Sequence, residues 1–105
     1  MAYYLGLDNG GTVTKAAIFD STGRSLAMAR VETEVQITGP GFAERDMEQM
    51  WQANCTVIRS ALEQAKLSPE EIACVTCCGH GKGLYLWGTD NCPVRPGILS
   101  TDHRA

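Results

Sequence analysis

The sequence has little of what marks several classes of protein. None of its apolar runs approaches the ~18–20 residues of a membrane span. Nine Lys and Arg, scattered singly, stand against twelve Asp and Glu, for a net charge of −3. That leaves no basic patch for nucleic acid or an anionic membrane. The N-terminus lacks the basic and long apolar regions of a secretory signal. Internal repeats and low-complexity tracts are absent, as is the Walker A order of glycines, lysine and hydroxyl residue. The five cysteines are an odd number, and beside Cys74-Val75-Thr76-Cys77 no second pair stands at zinc spacing. On a strand Cys74 and Cys77 point to opposite faces, so a zinc or redox reading ranks last. A reduced, cytoplasmic chain with no nucleic acid or membrane partner is expected.

What is present is ordinary globular composition. The chain has 105 residues, 44% hydrophobic and 20% charged, enough for one core. Its first third reads as three strands. Tyr3–Asp8 runs into a polar turn, Asn9-Gly10-Gly11-Thr12; Val13–Asp20 follows; Asp20-Ser21-Thr22-Gly23 is a tight-turn signature; Ser25–Thr33 returns. Short turns imply an antiparallel meander. Thr38-Gly39-Pro40-Gly41 is a loop. A helix is predicted from about Met47 to Lys66, with Asp46 as N-cap and Gln49 completing a capping box. Its stripe comprises Met47, Met50, Trp51, Asn54, Ile58, Ala61, Leu62 and Ala65, with Trp51 assigned to the core. Ser68-Pro69-Glu70-Glu71 starts a short helical turn. Ile72–Cys78 reads as a strand buried on both faces, its cysteines serving as apolar packing. Short extended pieces are predicted at Leu84–Trp87 and Pro96–Ser100. The order predicts an α/β layer with a mixed sheet, the strand after the helix lying parallel.

One turn has the make-up of an anion site. Two glycines in Asn9-Gly10-Gly11-Thr12 can bring successive backbone N–H groups to face one point. Thr12 and Thr14 add hydroxyls, Lys15 a cation, and Asp8 a carboxylate able to hold Mg²⁺. The plain alternative is a common hairpin turn with an Asp before it. Other residues likewise have ordinary readings: His80 as a loop residue, Lys82 as an exposed lysine, Glu44 as a loop residue.

Gly6-Leu7-Asp8-Asn9-Gly10-Gly11-Thr12, then Lys15, Asp20 and Gly23, resembles the first phosphate motif of the actin-like ATPase and sugar kinase superfamily. Pro40-Gly41-Phe42-Ala43-Glu44-Arg45-Asp46, running to Trp51, is similar to the stretch entering the first helix of FGGY carbohydrate kinases. Gly79-His80-Gly81-Lys82-Gly83 stands where that family has a Gly-Gln-Met-His-Gly-like loop. Arg95-Pro96-Gly97-Ile98-Leu99-Ser100-Thr101-Asp102-His103-Arg104 resembles its Pro-Ala-Ile-Leu-Trp-x-Asp-x-Arg segment. The four motifs come in order across essentially the whole chain, and the Gly-Lys-Gly loop resembles that of L-xylulose and related pentulose kinases.

The resemblance implies a ribonuclease H-like fold, with residues 1–105 as the N-terminal part of the first domain. The second half of that domain and the C-terminal domain would lie outside the chain. It implies an ATP-dependent kinase that phosphorylates a hydroxyl of a small sugar or polyol, with ATP and Mg²⁺ as cofactors, and it allows a homodimer of the full-length protein. Asp8 would bind Mg²⁺ through water, and Gly10, Gly11, Thr12 and Lys15 would line the ATP phosphates. Gly81 and Lys82 would face sugar hydroxyls, and Asp102 and Arg104 would help form the sugar pocket. Gly11 replaces a frequent Thr, and His80 the usual Gln. The family's catalytic base is an Asp further along, so no catalytic residue is expected in this chain, and residues 1–105 alone should be inactive. The rival functions are a superfamily ATPase or sugar kinase outside the FGGY branch, and a non-catalytic binding fragment.

Overall fold

Alternation of side chains in the first third of the chain sets the architecture. The computed structural model describes residues 2–105. In it β1 (Tyr3–Asn9), β2 (Val13–Asp20) and β3 (Ser25–Glu32) pair antiparallel in sequence order. Leu5 lies opposite Ile18, and Ile18 opposite Ala27. Successive side chains leave a strand on opposite faces, so Leu5, Ala16, Ile18, Ala27 and Ala29 are all buried on one side. The β2–β3 turn is held by Asp20, whose carboxylate accepts from the Thr22 hydroxyl and the N–H groups of Thr22 and Arg24. Those bonds, led by the Thr22 hydroxyl, lower the Asp20 pKa. Gly23 follows at φ 86°, a conformation that favours glycine.

Helix α1 (Met47–Ala65) covers the apolar face over β2 and β3. Asp46 caps it, accepting from the N–H groups of Glu48 and Gln49 at 2.8 and 3.1 Å, which satisfies two of the donors a helix start leaves open. Lys66 closes it in the left-handed region, with Leu67 N–H returning to the Leu62 carbonyl. The buried line is Ala53, Val57 and Ala61, flanked by Ile58, Leu62 and Ala65. The predicted stripe therefore holds in its C-terminal half, and Met47, Met50 and Asn54 are half-buried, but Trp51, assigned to the core, is 62% exposed. Small alanines at 53 and 61 let the helix approach the sheet, so the contact line follows them instead of the larger side chains.

A 3₁₀ turn (Pro69–Glu71), in which the Glu71 carboxylate accepts from Ser68 N–H at 2.8 Å, leads into β5 (Ile72–Gly79). This strand lies parallel to β1 and completes a mixed sheet of order β3-β2-β1-β5. Burial on both faces does not hold for β5 here: Cys74, Val75, Cys77 and Cys78 are exposed. Within residues 2–105 the strand is the last of the sheet, and α1 lies over β2 and β3.

A second, smaller sheet pairs β4 (Glu44–Arg45) with β6 (Gly97–Ile98), and Gln36 and Leu84 bridge to its two strands. The strand expected at Leu84–Trp87 is reduced to isolated bridges at Leu84 and Trp87. Tyr85, between them, turns inward to a role described below.

Val57 is fully buried between helix and sheet. Val57→Ala should lower stability by about 1–2 kcal/mol through lost burial and a residual cavity, read as a lower urea midpoint at unchanged slope.

Candidate functional site

The parallel pairing of β1 and β5 brings two glycine-bearing loops to the same end of the sheet. Asp8, near the end of β1, is opposite Lys15 on β2 and Cys78 on β5. These three line a cavity of about 320 Å³ together with Gly6, Phe19 and Thr76. The Asp8 charge, and after it burial, pushes the Cys78 thiol pKa up and keeps it protonated. Among the described residues Asp8 has no ion-pair partner within 4 Å.

In the turn that follows, the two glycines do different work. Gly10 N–H donates to the Val13 carbonyl at 2.9 Å, and a Cβ at Gly10 would stand 2.8 Å from that oxygen. Gly10 is therefore the turn-former, its own donor already used. A Cβ at Gly11 would meet nothing within 4 Å. The N–H groups of Gly11 and Thr12 take no part in the turn's hydrogen bonds among the described residues. Two backbone donors and the exposed Thr12 hydroxyl are thus free at the tip, which suits phosphate oxygens.

The turn is held from behind by a residue the sequence reading passed over as one letter of a motif. Arg45 on β4 is 1% exposed. Its Nη1 donates to the Gly10 carbonyl and its Nη2 to the Thr33 hydroxyl, each at 2.8 Å. Its Nε has no partner among the described residues. Thr33 N–H in turn donates to the Thr12 carbonyl at 2.8 Å. From the helix side, Asn54 Nδ2 donates to Asn9 Oδ1 at 2.8 Å. That single polar residue in the predicted apolar stripe was the available signal; for Arg45 no local signal exists, because its partners lie 12 and 35 residues away.

The second loop begins where β5 ends. His80 N–H donates to the Asn9 carbonyl at 2.9 Å, tying the loops together. Gly81 is exposed, with open space where a Cβ would be, and Lys82 is exposed at φ 64°. The Tyr85 hydroxyl stands 2.8 Å from His80 Nε2. Burial pushes the Tyr85 pKa up, and the nearby Arg45 guanidinium partly offsets this.

Asp102 and Arg104 come together, but they face each other and Glu44. Asp102 accepts from Ala43 N–H at 2.8 Å and from the Arg104 guanidinium. Arg104 and Arg95 both reach Glu44 Oε2 at 2.7 Å, and Arg104 lies 4.1 Å from the Phe42 ring centroid. Glu44, read from sequence as a loop residue, is a buried node of this cluster. Arg104 is the leading cause holding both carboxyls below their ordinary values, and the two carboxylates hold the Arg104 pKa above its own. A carboxylate so firmly ionised and occupied is a poor proton acceptor.

Residues 3–105 match the model of the FGGY family of carbohydrate kinases, N-terminal domain. The sheet, its covering helix and two loops at one sheet end define an actin-like ATPase fold, and the chain belongs to the FGGY family. It is 44% identical over its full length to a probable L-xylulose kinase of Pasteurella multocida, covering 22% of that protein. It is 40% identical over 103 residues, 98% of the chain, to an L-xylulose/3-keto-L-gulonate kinase of Escherichia coli, covering 21% of it. The crystal structure of xylulose kinase from Rhodospirillum rubrum superposes with a TM-score of 0.86 at 25% identity, over 97% of this chain and 21% of that one. The chain thus spans about a fifth of the length of these relatives.

The ion cluster gives a pH dependence. Glu44 and Asp102 ionise more readily folded than at their ordinary values of 4.5 and 3.8. Their contribution is therefore complete above about pH 4.5 and is lost as pH falls through the lowered folded values. Arg104→Gln should lower stability at neutral pH and flatten the decline toward acid, measured by urea unfolding across that range.

Proposed function

We propose that this chain is the N-terminal part of the first domain of an ATP-dependent carbohydrate kinase whose acceptor is a pentulose such as L-xylulose, or a related polyol. The observation that carries the reading is one juxtaposition: the Asp8 carboxylate, free of ion pairs among the described residues, stands beside a turn whose Gly11 and Thr12 donors have no partner among them, next to the loop bearing Gly81 and Lys82. The names of the relatives support the acceptor class.

In this reading the Gly11 and Thr12 N–H groups, the Thr12 hydroxyl and Lys15 meet phosphate oxygens of ATP, while Gly10 shapes the turn. A carboxylate not committed to an ion pair is the donor a hydrated Mg²⁺ takes, so Asp8 fits that ion. Mg²⁺ supplies neutralisation of the phosphate charge during transfer. Gly81 and Lys82 contact sugar hydroxyls, and the Asp102–Arg104 pair acts as a rigid wall of the pocket. A sugar hydroxyl oxygen bonds to the γ-phosphorus as the bond to the bridging oxygen of ADP breaks. The hydroxyl proton passes to a base, which we assign to a residue outside positions 1–105.

The test is sugar-dependent ADP release by the polypeptide that carries this chain, with L-xylulose and ATP. Asp8→Asn should lower kcat/KM by roughly 10- to 100-fold, as expected for an outer-shell metal ligand. Release of ADP at the same rate without sugar would overturn the kinase reading in favour of an ATPase.

A further inference from the structure

His80 and Gly97 meet on one side chain, Tyr85. A Cβ at Gly97 would fall inside the van der Waals envelope of the Tyr85 ring, at Cε1 and Cδ1. A Cβ at Gly83 would stand 2.9 Å from its Cε2. The ring is thus seated between two glycines, and a side chain at either would displace it. From that seat it meets the His80 ring edge-to-face at 5.7 Å, with its hydroxyl 2.8 Å from His80 Nε2.

Both imidazole nitrogens of His80 are turned toward the protein. Nδ1 lies 3.4 Å from the Asn9 carbonyl, an oxygen with no proton to give. A proton on Nδ1 points at that oxygen and leaves Nε2 as acceptor for the Tyr85 hydroxyl. The Arg45 guanidinium, whose charge partly offsets the effect of burial on the phenol, holds the Gly10 carbonyl. Tyr85 and His80 thus reach the start of the turn at Asn9, while Arg45 holds the same turn at Gly10.

We propose that Tyr85 and His80 are positioning residues that fix the Gly79–Gly83 loop against the phosphate turn, and that His80 is spent on this task instead of being offered to the sugar. The effect on sugar binding rests on the kinase reading above; the tautomer of His80 does not. Tyr85 keeps the imidazole in one tautomer, and the imidazole holds Gly81 and Lys82 in register with Asn9 and Gly10.

The experiment is a double-mutant cycle of Tyr85→Phe and His80→Ala in the polypeptide that carries this chain. Each single change should raise the KM for L-xylulose about fivefold, with kcat within about twofold, and the double variant should be no worse than either single one. His80→Gln, whose amide oxygen can still accept from Tyr85, should stay near the parent KM. Additive losses, or a single-variant loss confined to kcat, would overturn the proposal. ¹⁵N spectra of the histidine side chains give a readout independent of turnover. His80 Nε2 should be unprotonated in the parent, and Tyr85→Phe should shift the tautomer ratio. An unchanged His80 signal would overturn the proposal even if the polypeptide were not a sugar kinase.

Discussion

A buried guanidinium organises this molecule. Taking an arginine out of water costs several kcal/mol unless its donors are satisfied. Arg45 finds its partners on the Asn9–Thr12 turn and on the strand exit at Thr33, both neutral oxygens. Its position on a two-residue strand matters as much as its charge. Alternation sends Glu44 and Arg45 to opposite sides, so Glu44 gathers Arg95 and Arg104 while Arg45 is buried against Gly10 and Thr33. The next residue, Asp46, caps the helix. One tripeptide therefore ties together the small sheet, the helix start and the Asn9–Thr12 turn, and a displacement at any of them is felt at the other two.

The proposed site lies where an α/β sheet commonly places one, outside the carboxyl ends of parallel strands. β1 and β5 are that parallel pair, and Asn9 is the junction between the loops that follow them. Its carbonyl takes the His80 N–H, and its side chain takes the Asn54 amide. The face of the main sheet opposite α1 carries Asp8, Lys15 and Cys78, so the charged groups of the site do not disturb the packed core.

Strands, helix and the parallel return of β5 were legible because they follow from local rules: alternation, a glycine turn, a capping aspartate. Where those rules failed, a longer-range contact decided. Trp51 shares the helical period with Ile58 and Leu62 but lies off the line set by Ala53 and Ala61. The cysteine-bearing strand reads as buried because it is apolar, yet apolar composition does not say which neighbour covers it. Of the site, the free donors at Gly11 and Thr12 fell within a motif visible in the sequence. Gly10 proved to be a turn-former, and Asp102 and Arg104 a mutual pair. Arg45 and Tyr85 stayed invisible, since their meaning lies in partners that the fold brings together.

The organising role of Arg45 is tested most directly by calorimetric titration of Mg²⁺-ATP into the polypeptide carrying this chain, comparing the parent with Arg45→Met. The account predicts a Kd weakened about tenfold or more, the scale of one lost charged hydrogen bond, with near-native helix content. A Kd equal to the parent's in a folded variant would contradict it.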